Sequence, residues 1–153
     1  MSDFRESIDV DRTPDDVWTY VIDFSHLPEW QASAVSAERL DEGPVGVGSR
    51  VRITRHVGRR DIPMTMQFTE YDPPHAWGMQ GIDGPVRPHV HGEIDPLDDG
   101  RRSRVTMEVD VEGHGIGKVL VPLVVKPQLR KELPHNERML KQRLEHGGGI
   151  GTP

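Results

Sequence analysis

Apolar and polar residues alternate in one short stretch after another along this chain, and near residue 116 the spacing changes to that of a helix. A period of two puts neighbouring side chains on opposite faces of a strand, whereas a period near 3.6 gathers them on one stripe of a helix. Phe4, Ile8 and Val10 share one phase against Arg5, Ser7 and Asp9, and Val51, Ile53 and Val57 share one against Arg50, Arg52, Thr54 and His56. Ile62, Met64, Met66 and Phe68 follow, then Trp77 with Met79, then Val86, Val90 and Ile94, and finally Val105, Met107, Val109 and Val111. Strands that are apolar on one face only predict an antiparallel sheet with a dry face and a wet face. The dry face must be covered. The one element long enough is the tail, residues 116–145, where Leu129, Leu133, Leu140 and Leu144 fall on roughly one stripe. Pro122, Pro127 and Pro134 interrupt it, so its first half is expected to be kinked or partly irregular.

The connections are equally directive. Thr13-Pro14-Asp15-Asp16 reads as a helix start, with a hydroxyl cap, proline at the first helical position and acids at the positive end of the dipole. That helix is expected to turn Val17, Trp18, Val21 and Ile22 inward and to stop near Asp23, with a second, very short helix around Leu27-Pro28-Glu29-Trp30. Gly43-Pro44-Val45-Gly46-Val47-Gly48 lacks the Gly-Lys-Ser/Thr of a phosphate loop and precedes a strand, so it reads as a turn between strands. Asp98-Asp99-Gly100 reads as a hairpin turn.

Composition narrows the function classes. With 153 residues the chain is about one domain long: residues 1–146 are expected to form it, and the glycine-rich 147–153 to be a disordered tail. Lys and Arg total 19 against 25 Asp and Glu, a formal charge of −6, which argues against a nucleic-acid partner. There is no Cys, so disulfides, Cys-based metal sites and a catalytic thiolate are excluded. The opening residues carry acids and no apolar segment, and the most apolar stretch, residues 119–125, is broken by Pro122 and too short for a membrane span. A cytoplasmic protein is the expectation, as monomer or homodimer.

The opening strand with Thr13-Pro14-Asp15-Asp16-Val17-Trp18, then Leu27-Pro28-Glu29-Trp30, Gly43-Pro44-Val45-Gly46-Val47-Gly48-Ser49-Arg50 and Glu70-Tyr71-Asp72-Pro73-Pro74, resembles the helix-grip superfamily. Arg104-Val105-Thr106 and Leu140-Lys141-Gln142-Arg143-Leu144-Glu145 extend the resemblance over residues 3–145. This superfamily holds START-like lipid-transfer domains, the birch-pollen allergen type and bacterial polyketide cyclase/dehydrases. The resemblance implies an α+β fold: a curved antiparallel sheet of about seven strands around a long C-terminal helix, with two short helices after the first strand. These motifs cap, turn and pack, so they specify fold more than chemistry.

Aromatic residues are 5% of the chain, and a curved sheet gripping one helix with few large side chains leaves an internal cavity. Polar residues in the apolar phases are then the informative ones: Glu6, Arg55 and Glu70. An inward Arg55 needs an internal carboxylate (Glu70 being one), a guest's oxygen or water, unless a bulge turns it outward. Ile53, Met64, Met66 and Phe68 are expected to line the body of a guest, together with Trp77, Met79 and Val90. Trp30 either walls the cavity or staples its short helix to the sheet. Leu120, Leu123 and Pro127 are expected to line the way in, past a proline-weakened segment. His89, His91 and Glu93 share a strand face that would offer two imidazoles and a carboxylate to a metal. Val86, Val90 and Ile94 occupy the opposite, apolar phase, so the trio is expected to face solvent.

Three functions compete on this reading. The first is binding of a small hydrophobic molecule, aromatic, polyketide- or lipid-like, without a cofactor. The second is an aromatase/cyclase-type enzyme, with Arg55 stabilising an enolate and Glu70 moving protons. The third is a protein-binding or co-chaperone-like module, which would call for a large apolar patch outside the sheet.

Overall fold

A computed structural model describes residues 4–146; the expected tail, 147–153, lies outside the described residues. Strand β1 (Phe4–Val10) leads into α1 (Pro14–Ile22), a single 3-10 turn (Phe24–His26) and α2 (Leu27–Trp30). Six strands follow: β2 (Ala34–Arg39), β3 (Arg50–Val57), β4 (Arg60–Asp72), β5 (Ala76–Gly81), β6 (Val86–Leu97) and β7 (Arg102–Gly113). The chain ends in α3 (Gly117–Leu120), a π-helical turn (Val121–Val125) and α4 (Lys126–Glu145).

The seven strands make one antiparallel sheet in the order β1-β7-β6-β5-β4-β3-β2. Consecutive hairpins build most of it, and β1 closes the far side by pairing Phe4 with Val109 and Val10 with Ser103. The Thr13 hydroxyl accepts from the Asp16 N–H, as its capping position demands, and α1 ends at Ile22 where Asp23 leaves the helical conformation. Tyr20 joins Val17, Trp18 and Val21 in the core. Its hydroxyl donates to Glu29 at 2.6 Å, a bond that ties α1 to α2.

Helix α4 lies against the concave face, with Leu140 and Leu144 at 0% and 1% exposure and Leu133 also buried. Fully burying such a side chain is worth roughly 1.5–3 kcal/mol, so this stripe anchors the helix. The prolines do not end it. Pro122 falls inside the π-helical turn, Pro127 falls in the first turn of α4, and Pro134 is carried within the helix. Gly117 fixes the other end: any Cβ there would run into the Pro85 carbonyl, so α3 sits backbone to backbone on the β5–β6 connection.

Candidate functional site

Between the concave face and α4 the side chains leave a cavity of about 110 Å³. An apolar cavity of about 150 Å³ accepts one benzene-sized molecule, so this space is of single-ring scale. Met64 and Met66 of β4, Trp77 and Met79 of β5, Ile53 of β3 and Val90 of β6 all line it. Trp77 lies flat against Gly92 of the neighbouring strand, where a Cβ would overlap the indole, so the glycine sets the position of that wall. Trp30 of α2 also lines the cavity at 3% exposure, so it walls the space as well as packing its helix.

Polar atoms enter this lining at few places. Arg55 follows Ile53 by two residues on β3 and shares its inward face: the β3–β4 register is unbroken between them, and the irregularity there falls on β2, between Ala34 and Ser36. Its guanidinium donates to the Ser33 hydroxyl at 3.3 Å, and Glu132 of α4 supplies the nearby negative charge. Burial pulls the guanidinium down to about 10, an effect that Glu132 opposes, so it remains charged at neutral pH. Asn136, one turn further along α4, accepts from the Ala32 N–H at 3.0 Å and pins the α2–β2 junction to the helix.

Glu137 is the group that the strand phases could not reveal. It lies four residues after Leu133 and three before Leu140, on the apolar stripe itself, and is 3% exposed. Neither carboxyl oxygen has a hydrogen-bond partner, and the indole Nε1 of Trp30 is likewise buried without one. Desolvation pushes the Glu137 carboxyl up to about 8, and the negative charge of Glu6 on β1 adds to the shift. The cavity therefore holds a guanidinium on its β3 side and a proton-bearing carboxyl facing β1.

Several sequence expectations are corrected here. Glu70 is on the outer face, where its carboxylate meets His91 Nε2 at 3.0 Å, because the β4–β5 register shifts between Phe68 and Glu70 and reverses the phase beyond it. It can neither pair with Arg55 nor move protons in the cavity. Tyr71 turns inward instead, edge-on to Trp18 and Phe68. Phe68 is buried but does not line the cavity; it stacks behind Phe24, which does. Leu120, Leu123 and Pro127 do not line the cavity, and Leu123 is 71% exposed. Val121 and Val125 turn toward the core across the π-helical turn, and residues two positions away on a helix face nearly the opposite way.

His89, His91 and Glu93 lie on the outer face, with His89 beside Glu112 at 3.3 Å and His91 between Glu70 and Glu93. Among the described residues, no group of three or more His, Asp or Glu is placed to hold a metal ion. Among them, too, no helix is long and apolar enough to cross a membrane.

A seven-stranded antiparallel sheet curled around one 29-residue helical segment, with short helices after the first strand, is the helix-grip architecture. Within it the family follows from the sequence: residues 1–145 match the family described as polyketide cyclase / dehydrase and lipid transport, and the chain belongs to that family. Solved structures agree on the fold. The Zhui aromatase/cyclase from Streptomyces sp. R1128 is 17% identical with a TM-score of 0.69, covering 96% of this chain and 98% of that one. A START superfamily protein from Mycobacterium smegmatis is 16% identical with a TM-score of 0.70, covering 94% and 97%. The di-domain ARO/CYC BexL from the BE-7585A biosynthetic pathway is 17% identical with a TM-score of 0.68, and this chain, covered over 93% of its length, spans 46% of it. A comparison with curated protein sequences found no match.

Proposed function

We propose that this protein binds a small hydrophobic molecule, one ring or little more in width and carrying oxygen, between its sheet and its C-terminal helix. The observation that supports this reading is an apolar cavity with one inward guanidinium, Arg55, whose described protein contacts are a single 3.3 Å hydrogen bond to Ser33 and the nearby charge of Glu132. A charged donor facing an apolar space is costly to maintain unless an oxygen meets it. Met64, Met66 and Met79 adapt to guests of varied outline, so they would set size rather than identity.

An aromatase/cyclase-type reaction is the second reading, favoured by the family and by a cation and a proton-bearing carboxyl lining one cavity. Size ranks it below binding: about 110 Å³ takes a ring, not an extended poly-ketone.

Arg55→Met keeps most of the stem and removes the charge. Titrating 4-hydroxyacetophenone into both proteins by calorimetry at pH 7 is expected to show a ten- to hundredfold weakening, about the worth of a hydrogen bond to a charged group. Equal affinities, with both proteins equally folded by circular dichroism, would remove Arg55 from the site.

A further inference from the structure

Among the described residues, Glu137 is the one whose buried carboxyl has both oxygens without a partner. A carboxyl on the stripe that anchors α4 weakens the fold, and leucine or methionine would fill the same place without desolvating a polar group. No described side chain compensates it: both oxygens are buried and unpartnered. The Trp30 indole N–H, on the short helix that packs against α4, is also buried and unpartnered, and both residues line the cavity. Two unsatisfied polar groups facing one small apolar space describe a place prepared for a third.

The surroundings decide what that third group is. Glu6 on β1 is the charged neighbour that acts on Glu137. Arg55 on β3 and Glu132 on α4 are the other ionisable groups of the lining, while β4, β5, β6 and β7 contribute only uncharged side chains to it. Glu29 of α2 is engaged by Tyr20 and His26. Glu132 and Glu137 are five residues apart, about 7.5 Å along the helix axis and some 140° around it, so Arg55 beside Glu132 and the Glu137 carboxyl address different sides of a guest. An apolar enclosure with a second carboxyl near Glu137 and no cation acting on it favours the protonated acid, which donates a hydrogen bond.

We infer that Glu137, as a neutral carboxylic acid assisted by the Trp30 N–H, is a hydrogen-bond donor that selects guests bearing an uncharged acceptor oxygen, a ketone above all. The inference rests on the cavity-binding reading above and adds to it the class of guest: ring-sized carbonyl compounds in preference to hydrocarbons of the same shape or to amines. Glu137 positions the carbonyl end, and Arg55 meets a second oxygen where the guest has one. The pH dependence follows with its sign: binding of a non-titrating ketone is full below about pH 8 and weakens as the carboxyl ionises above it, because a carboxylate has no proton to donate.

The test compares acetophenone, ethylbenzene and benzylamine, three ring-sized probes with carbonyl, hydrocarbon and ammonium ends. Calorimetry on the wild type, Glu137→Leu and Glu137→Gln from pH 6 to pH 10 reads the outcome. Acetophenone is expected to bind the wild type at pH 6 about tenfold more tightly than ethylbenzene. Glu137→Leu is expected to abolish that preference while still binding ethylbenzene. Glu137→Gln, which keeps an N–H donor, is expected to retain the preference and lose its pH dependence. A preference that survives in Glu137→Leu would overturn the inference and leave cavity binding standing. Benzylamine binding more tightly than acetophenone, and more so as pH rises, would overturn it in favour of a cation site. If no probe binds the wild type, cavity binding itself falls and the inference with it.

Discussion

The carboxylates outside the sheet and the one enclosed between sheet and helix have opposite fates. On the outer face they are met by cations: Asp9 takes two hydrogen bonds from Arg104, at 2.8 and 3.2 Å, and Arg5 reaches Glu108 at 3.2 Å. The Arg104 bond holds the Asp9 carboxyl below its ordinary range. Across the cavity from the inner face, Glu137 of α4 has no partner and its carboxyl rises to about 8. The outer pairs sit in water, where each is worth little, and they serve solubility and cross-strand register. The inner group sits where desolvation dominates, so its effect on stability is large and unfavourable when ionised. A residue that weakens the fold and is spared no desolvation marks the face on which function is to be sought.

Measurements on the two faces sharpen this contrast. The largest effect is expected from Leu140→Ala, next to Glu137 on the same stripe and fully buried. Deleting that side chain is expected to lower the unfolding free energy by about 2–5 kcal/mol in urea titration. A loss below about 1 kcal/mol would mean that the stripe does not anchor the helix.

Glu137→Gln should act in the opposite direction, by a few kcal/mol and only at higher pH. The unfolded chain releases the Glu137 proton near the ordinary value of 4.5, whereas the folded protein holds it to about 8. Between those values the folded state binds more protons than the unfolded one, so wild-type stability falls as pH rises and the loss is complete above about 8. The two proteins are therefore expected to unfold alike at pH 4 and to differ most at pH 9, with the variant more stable. Parallel stability curves across this range would show that the carboxyl finds a partner or solvent.

The smallest change belongs to the outer face. The Asp9 carboxyl lies low, so its contribution is present above the ordinary carboxylate range and is lost as pH falls through the folded-state value. Asp9→Asn is expected to shift the melting temperature by no more than a degree or two, in the manner of exposed pairs, and not at all in about 1 M salt. A large, salt-resistant loss would put this pair in the same class as Glu137.

Most of the architecture was legible in the chain because alternation, caps and turns are local. The phases placed Ile53, Arg55, Met64, Met66, Trp77, Met79 and Val90 on the side of the sheet where the cavity lies. Glu70 was misplaced because a one-residue slip in pairing inverts every later side chain, and nothing near Phe68 announces the slip. Leu123 and Pro127 were misplaced because a π-helical turn changes the angle between successive residues just where the prolines obscured the period. Glu137 is legible in the sequence as a carboxylate between Leu133 and Leu140 that breaks the stripe predicting the helix.

By itself the sequence determined the order of elements, the wet and dry faces of the sheet and the tail that covers it, since each depends on neighbours a few residues apart. Only the tertiary structure decided how large a space remained, and that Glu137 and Trp30 line it without partners while Glu70 meets His91 outside. Those outcomes depend on pairing register and on which residues about a hundred positions apart in the chain meet at one cavity, such as Trp30 and Glu137, with the charge of Glu6 acting on the latter. Desolvation belongs to such an enclosure as a whole, and no stretch of residues contains it alone.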